Sequence, residues 1–245
     1  MKIIDKTPLV DQKGDLGFTQ RIQGMLRYGF GWPAELQAQK AIISFFDKNL
    51  EKGYTLLRNV PLGQSGILIP FILLGPAGIF AINLTFQRGR FEARGDSWNV
   101  ESGTQYRRAS VNLLQVTSRM ARALQTFIER QGTKLPVPVE PILIAGDPGV
   151  HIESTRPAIR VMMIDGIKSF VSGLATSAPV ITALAVNEAV DRILEPRQLR
   201  QEPISSPMKP AAREPEREPE PEPVSRARAI FNASEEPKPF NPSEF

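Results

Sequence analysis

A chain of 245 residues, 41% of them hydrophobic, is long and apolar enough for one good-sized domain with a packed core, plus a tail. It has no cysteine and one histidine, His151, which together exclude disulfides, thiolate metal sites, a cysteine nucleophile and a multi-histidine metal cluster. The net charge of +4 conceals an asymmetry: 24 basic and 17 acidic side chains lie at or before residue 200, six and nine beyond it, so the body is basic enough to meet phosphate without being committed to it.

The chain starts Met1-Lys2-Ile3-Ile4-Asp5-Lys6, with early charge of both signs and no apolar run behind it. That is not a secretory signal, and it points to the cytoplasm. Residues 1–30 are mixed and Gly-rich with little periodicity, and read as a loose arm. Trp32-Pro33-Ala34-Glu35 opens a helix: proline suits the first turn, and an early glutamate meets the positive end of the helix dipole. Leu36, Ile42, Ile43, Phe45, Phe46 and Leu50 recur at helical spacing, so one face is buried from Ala34 to Leu50. Tyr54–Val60 reads as a strand.

Gly66 to Phe86 is the most apolar stretch and carries no charge. A membrane-spanning helix needs about 20 such residues, but Gly75-Pro76-Ala77-Gly78 divides the stretch into two short runs rich in Ile, Leu and Phe. These read as a hairpin of buried strands, Ile67–Leu74 and Ile79–Phe86, at the centre of a sheet, and no membrane span is expected. Arg88-Gly89-Arg90 then turns the chain into a fourth strand, Phe91–Arg94, of an antiparallel meander. Arg88, Arg90, Arg94, Arg107, Arg108, Arg119 and Arg122 follow close together, either as a solvated rim or as a groove for nucleic acid.

Ser110 precedes a long amphipathic segment in which Val111, Leu114, Met120, Leu124, Phe127 and Ile128 are spaced as on a helix ending near Gly132. Pro141–Ala145 is a short buried strand and Ala158–Met163 the last one. A helix lying between strands of one sheet is a crossover, which makes part of the sheet parallel. Ile164–Ala175 and Pro179–Leu194 close the body, the second capped by Ser177. The domain therefore spans 31–196, with an α/β mixed sheet flanked by helices.

In 197–245 the composition changes. Ten of the 22 prolines lie beyond position 200, among them the run Glu214–Pro223, and such a segment buries too little apolar surface to offset its ordering entropy. It is expected to be disordered. Phe231-Asn232-Ala233-Ser234-Glu235 and Phe240-Asn241-Pro242-Ser243-Glu244 repeat the pattern Phe-Asn-x-Ser-Glu, which makes Phe231 and Phe240 candidate anchors for a protein partner.

The order of these pieces resembles the nuclease-related domain, the NERD family, whose fold is restriction-endonuclease-like. The pieces are a helix opened by Glu35, the run Phe71–Ile82 with its Gly-Pro-x-Gly turn, Gly-Arg followed by Trp98, and Gln115 early in the next helix. The resemblance covers Trp32 to Leu194. It implies a divalent metal held by an aspartate and a glutamate on the two hairpin strands, with a lysine two positions after the glutamate. Hard cations such as magnesium take carboxylate oxygens, and a cation stabilises charge developing on a phosphoryl group. Laid onto the family's turn, those positions hold Pro70, Asn83 and Thr85, so all three charges are missing; Glu35 and Gln115 remain as remnants.

No cofactor is therefore expected. The resemblance implies a non-catalytic binding or scaffolding module, with Arg88, Arg90, Arg107, Arg108, Arg119 and Arg122 as candidates for contact with nucleic acid. The alternative is an active nuclease whose magnesium or manganese ligands have been relocated among Asp96, Glu101, Asp147, Glu153 and Asp165. His151, alone in a predicted loop, is assigned no role.

Overall fold

The computed structural model describes residues 1–8, 17, 19–20, 22–23, 26, 32–50, 53–63 and 65–195. Its elements in chain order are β1 (Lys2–Asp5), α1 (Trp32–Asn49), β2 (Thr55–Pro61), β3 (Leu68–Gly75), β4 (Gly78–Thr85), β5 (Gly89–Arg94), β6 (Ser97–Ser102), β7 (Gln105–Arg108), α2 (Leu113–Arg130), β8 (Val139–Ala145), β9 (Val150–Thr155), β10 (Arg160–Met163), α3 (Ile167–Thr176) and α4 (Ala183–Leu194).

The charge-free stretch folds as the expected hairpin: β3 and β4 pair antiparallel from Phe71↔Ile82 to Gly75↔Gly78, leaving Pro76-Ala77 as a two-residue loop. Gly78 sits at φ 148°, a value that side-chain-bearing residues rarely adopt. At Gly75 the requirement is space, because a Cβ there would run into the ring of Tyr54. The loop is held from outside as well: the Val180 and Ile181 amides donate to the Pro76 carbonyl at 2.8 and 3.1 Å. No helix among the described residues is long and apolar enough to cross a membrane.

The hairpin lies at the centre of a six-stranded sheet of order β1-β2-β3-β4-β8-β10. β4 and β8 pair parallel, as the crossover through α2 requires, and β8 pairs parallel with β10, the chain between them passing through β9. On one face Phe71, Leu73, Phe80 and Ile82 pack with Ile42 and Phe46 of α1 and with Phe170 and Val171 of α3. On the other, Ile72, Leu74, Ile79 and Ala81 pack with Ala121, Leu124 and Ile128 of α2 and with Val186 and Val190 of α4. Full burial of each large aliphatic or aromatic side chain stabilises the fold by about 1.5–3 kcal/mol, which is why this hairpin tolerates no charge on either face.

The predicted four-strand meander is corrected. β5 does not pair with β4; it starts a second sheet, of order β7-β6-β5-β9. Gln87 and Arg88 make no hairpin turn but carry the strand onward. The parallel neighbours β4 and β8 both leave the large sheet and continue as the parallel neighbours β5 and β9. The crossing ribbon is tied by the Gly146 amide on the Thr85 carbonyl (2.9 Å), by the Gly89 amide on the Gly149 carbonyl (3.3 Å) and by an Arg88–Asp147 ion pair at 2.9 Å. Trp98 stacks on Phe91 inside the second sheet, with ring centroids 5.1 Å apart.

Other boundaries differ for local reasons. The first residues, read as part of a loose arm, form the parallel edge strand β1 beside β2. Polar anchoring holds it: Arg58, only 2% exposed, donates to Asp5 Oδ2 (2.9 Å), Gln39 Oε1 (2.8 Å) and the Leu36 carbonyl (3.1 Å). Asn59 joins this network by donating to Thr7 Oγ1 at 2.7 Å. The last helix starts at Ala183 rather than Pro179, because Thr182, not Ser177, accepts the Ala185 amide as N-cap. The α2 cap is Asn112, whose Oδ1 accepts the Gln115 amide at 3.2 Å.

Candidate functional site

Of the three hairpin positions implied by the family resemblance, Pro70 sits where β3 loses its regular pairing. The β2–β3 ladder steps from Arg58↔Phe71 to Val60↔Ile69, leaving Asn59 and Pro70 unpaired between them. Proline has no amide to donate, and Asn59 accommodates the break at φ 50°. The double irregularity shifts the alternation, so that Leu57 and Val60 enter one core, as do Ile69 and Ile72. The β3–β4 pairing ends at Phe71↔Ile82, so Pro70 and Asn83 are the next residues along the two strands.

Asn83 is buried and points to α2, where its Nδ2 donates to Thr117 Oγ1 at 3.0 Å. The Thr117 hydroxyl in turn donates to the Leu113 carbonyl at 2.7 Å, and Asn83 Oδ1 accepts the Leu84 amide at 3.0 Å. Thr85, two residues on and also buried, accepts the Gln87 amide at 3.4 Å. A hard divalent cation asks for several oxygen donors, carboxylates first. Here a proline offers none, and the amide and hydroxyl groups are engaged with neighbours. The donor set does not fit magnesium or manganese.

The two remnants do not join these positions. Glu35 is in the first turn of α1, against the opposite face of the large sheet from Asn83. It is exposed by area, yet enough protein surrounds it that desolvation raises its carboxyl above the ordinary range. Gln115 is exposed in the first turn of α2, where Arg119 donates to its Oε1 at 3.4 Å.

The six candidate arginines divide into two groups. Arg88 is paired with Asp147, and Arg90 lies 3.5 Å from Glu101 and 3.3 Å from Glu153. Asp147, beside the Arg88 guanidinium and accepting the Gly149 amide, is held below the usual carboxylate range. Arg107, Arg108, Arg119 and Arg122 have no carboxylate at ion-pair distance among the described residues. On α2 the exposed positions Gln115, Arg119, Arg122, Thr126 and Arg130 recur every three or four residues, so they form a single stripe.

From Arg119 to Arg130 the stripe runs about 16 Å at 1.5 Å per residue. Arg108 and Arg119 line a cleft of about 440 Å³ at its upper end, and Arg122, Arg130 and Phe127 line one of about 290 Å³ at its lower end. Arg130 was not singled out in the sequence, although its spacing from Arg119 and Arg122 carried the signal.

The acids available for a relocated site are largely engaged. Asp147, Glu101 and Glu153 face arginines, as above, and no group of three His, Asp or Glu residues among the described residues is placed to hold a metal. His151 is not in a loop but on β9, exposed and opposite Arg90. Phe231 and Phe240, the candidate docking anchors, lie outside the described residues, as does the whole predicted disordered tail 197–245.

Residues 31–145 match the model of the NERD family, described as a nuclease-related domain, which supports the resemblance read from the hairpin. The matched span runs from the start of α1 to the end of β8, and so takes in the hairpin, the second sheet's β5–β7 and α2. No curated protein and no solved structure matches the chain.

Proposed function

We propose that this chain, similar over residues 31–145 to the nuclease-related domain, is a non-catalytic member of that group: a cytoplasmic binding or scaffolding module that holds nucleic acid without cutting it. The observation that carries the reading is the Asn83–Thr117–Leu113 hydrogen-bond chain. Where the family resemblance calls for a metal-binding carboxylate, a buried neutral amide is satisfied by the helix packed over it, and Pro70 is the next residue past the last hairpin pair on the neighbouring strand.

The contact surface in this reading is the α2 stripe with β7. Arginines without acid partners are free to neutralise phosphates, and such contacts require none of the catalytic carboxylates. Arg88 and Arg90 are excluded from the surface, because contact with phosphate would have to replace ion pairs already made. The repeated Phe-Asn-x-Ser-Glu motif of the tail serves as a protein-docking element, with Phe231 and Phe240 as anchors.

The test is fluorescence anisotropy of a labelled oligonucleotide with the full chain across a salt series. Sequence-independent binding that weakens steeply with salt, and is lost in Arg107→Gln/Arg108→Gln/Arg119→Gln/Arg122→Gln, is the expected result. Binding that ignores salt, or survives that change, overturns the reading. For the tail, capture of a defined partner by the full chain but not by Phe231→Ala/Phe240→Ala is expected; equal capture by both refutes docking.

A further inference from the structure

We infer that the cleft between β7 and the start of α2 is a phosphate-binding site, one that takes the phosphoryl group of a nucleotide. This rests on the nucleic-acid reading above and gives it a specific point of attachment. Three features converge there. Arg108 and Arg119 both line the cleft, and neither has a carboxylate partner among the described residues. The cleft lies at the N-terminal end of α2, an 18-residue helix whose first-turn amides have no acceptor within the helix and whose dipole favours an anion.

The helix end is held in place by its cap. Asn112 is oriented by two bonds, its Oδ1 accepting the Gln115 amide (3.2 Å) and its Nδ2 donating to the Asp96 carbonyl (2.8 Å), which fixes the helix start against the β5–β6 turn. The third feature points to a ligand by itself. Trp98 lines the same cleft and is 1% exposed, yet its indole Nε1–H has no acceptor among the described residues. Stacked on Phe91 at an interplanar angle of 15°, the ring is not free to turn and find one. Buried donors are nearly always paired, so an unpaired one in a cleft lined by two arginines without carboxylate partners marks a place for an incoming acceptor.

The chemistry favours phosphate over simpler anions. A phosphoryl group offers several oxygens to two guanidinium forks and a helix end at once, and arginine suits that geometry. One carboxylate, Asp96, also lines the cleft; against two arginines it leaves the lining net positive. The volume of about 440 Å³ is in the range that admits a nucleotide-sized ligand. Such a phosphoryl group has two sources, a nucleic-acid strand or a free nucleotide, and the experiment separates them.

The chain has two tryptophans, Trp32 and Trp98, so Trp32→Phe leaves the buried indole as the single reporter. Its N–H cross-peak in an amide correlation spectrum of the full chain is followed during titration with inorganic phosphate, AMP and a fluorescently labelled single-stranded oligonucleotide. Saturable movement of the cross-peak, with affinity weakened about tenfold or more by Arg108→Gln/Arg119→Gln, is expected. Movement by the oligonucleotide as well assigns the site to nucleic acid. Movement by phosphate and AMP while the oligonucleotide shows no anisotropy change keeps the cleft and removes the nucleic-acid reading. A stationary cross-peak with all three ligands overturns the cleft, even if the oligonucleotide binds elsewhere, and so does movement unaffected by the arginine changes. Both arginine side chains are exposed, so the variant is expected to fold.

Discussion

Restoring a carboxylate at the buried hairpin position, by Asn83→Asp, is expected to destabilise the protein at neutral pH. Asn83 donates to Thr117 Oγ1 at 3.0 Å from a site that is 6% exposed. An ionised carboxylate cannot donate that bond, at a cost of about 0.5–1.5 kcal/mol. It also loses its hydration with no cation at hand, an effective penalty of several kcal/mol that is partly relieved if Thr117 turns its hydroxyl from the Leu113 carbonyl toward it. The net loss is about 2–4 kcal/mol, a large part of a total stability of about 5–15 kcal/mol.

The pH dependence fixes the cause. Burial raises the folded-state pKa of the new acid above its unfolded value near 3.9. The penalty is therefore absent below that unfolded value and develops as pH rises through the folded one. Urea denaturation of parent and variant at pH 4 and pH 7 reads this directly: near-equal midpoints at the lower pH and a lower midpoint for Asn83→Asp at the higher. Equal stability at pH 7, or recovery of the lost stability by manganese, would refute the picture of a closed, neutral position.

Three further outcomes follow from the same contacts. Arg58→Met removes a guanidinium that is 2% exposed and serves Asp5, Gln39 and the Leu36 carbonyl; a loss of about 3–5 kcal/mol is expected in denaturant melts, together with release of β1 to hydrogen exchange. Arg119→Gln and Arg122→Gln should each flatten the dependence of log affinity on log salt by about 0.7 for a single-stranded oligonucleotide, while Arg88→Gln, whose side chain is already paired, leaves the slope unchanged. Asp147, with its pKa lowered by Arg88, contributes stability that is present above the usual carboxylate range and lost as pH falls through its lower folded value; Asp147→Asn should therefore soften the acid limb of a stability–pH curve.

The central hairpin was legible because composition and punctuation agreed: an uncharged apolar run, too interrupted for one helix, with a Gly-Pro-x-Gly turn at its middle. α2 was legible from its period, since Leu114, Leu124 and Ile128 all face the core. The second sheet was not. β5, β6, β7 and β9 are short and partly exposed, and the strand that enters them from β4 bends without a turn motif, so the Gly89 region reads as a hairpin when it is a crossing point. β1 escaped notice because a buried arginine holds it, and hydrophobic periodicity does not register that kind of anchor.

At the candidate site, the missing charges at Pro70, Asn83 and Thr85 could be read from residue types alone once the resemblance was in place. What filled their place could not, because Thr117 lies 34 residues from Asn83 in the chain and meets it only through packing. The division of the arginines was hidden for the same reason: the acids that occupy Arg88 and Arg90 come mostly from β8–β9, some 60 residues away.

The most direct test of a module that holds nucleic acid without cutting it is to incubate the full chain with plasmid and single-stranded DNA in manganese, and to measure retention and strand breakage in the same samples. DNA retained and fully intact is the predicted result. Breakage that manganese supports and a chelator abolishes would contradict it.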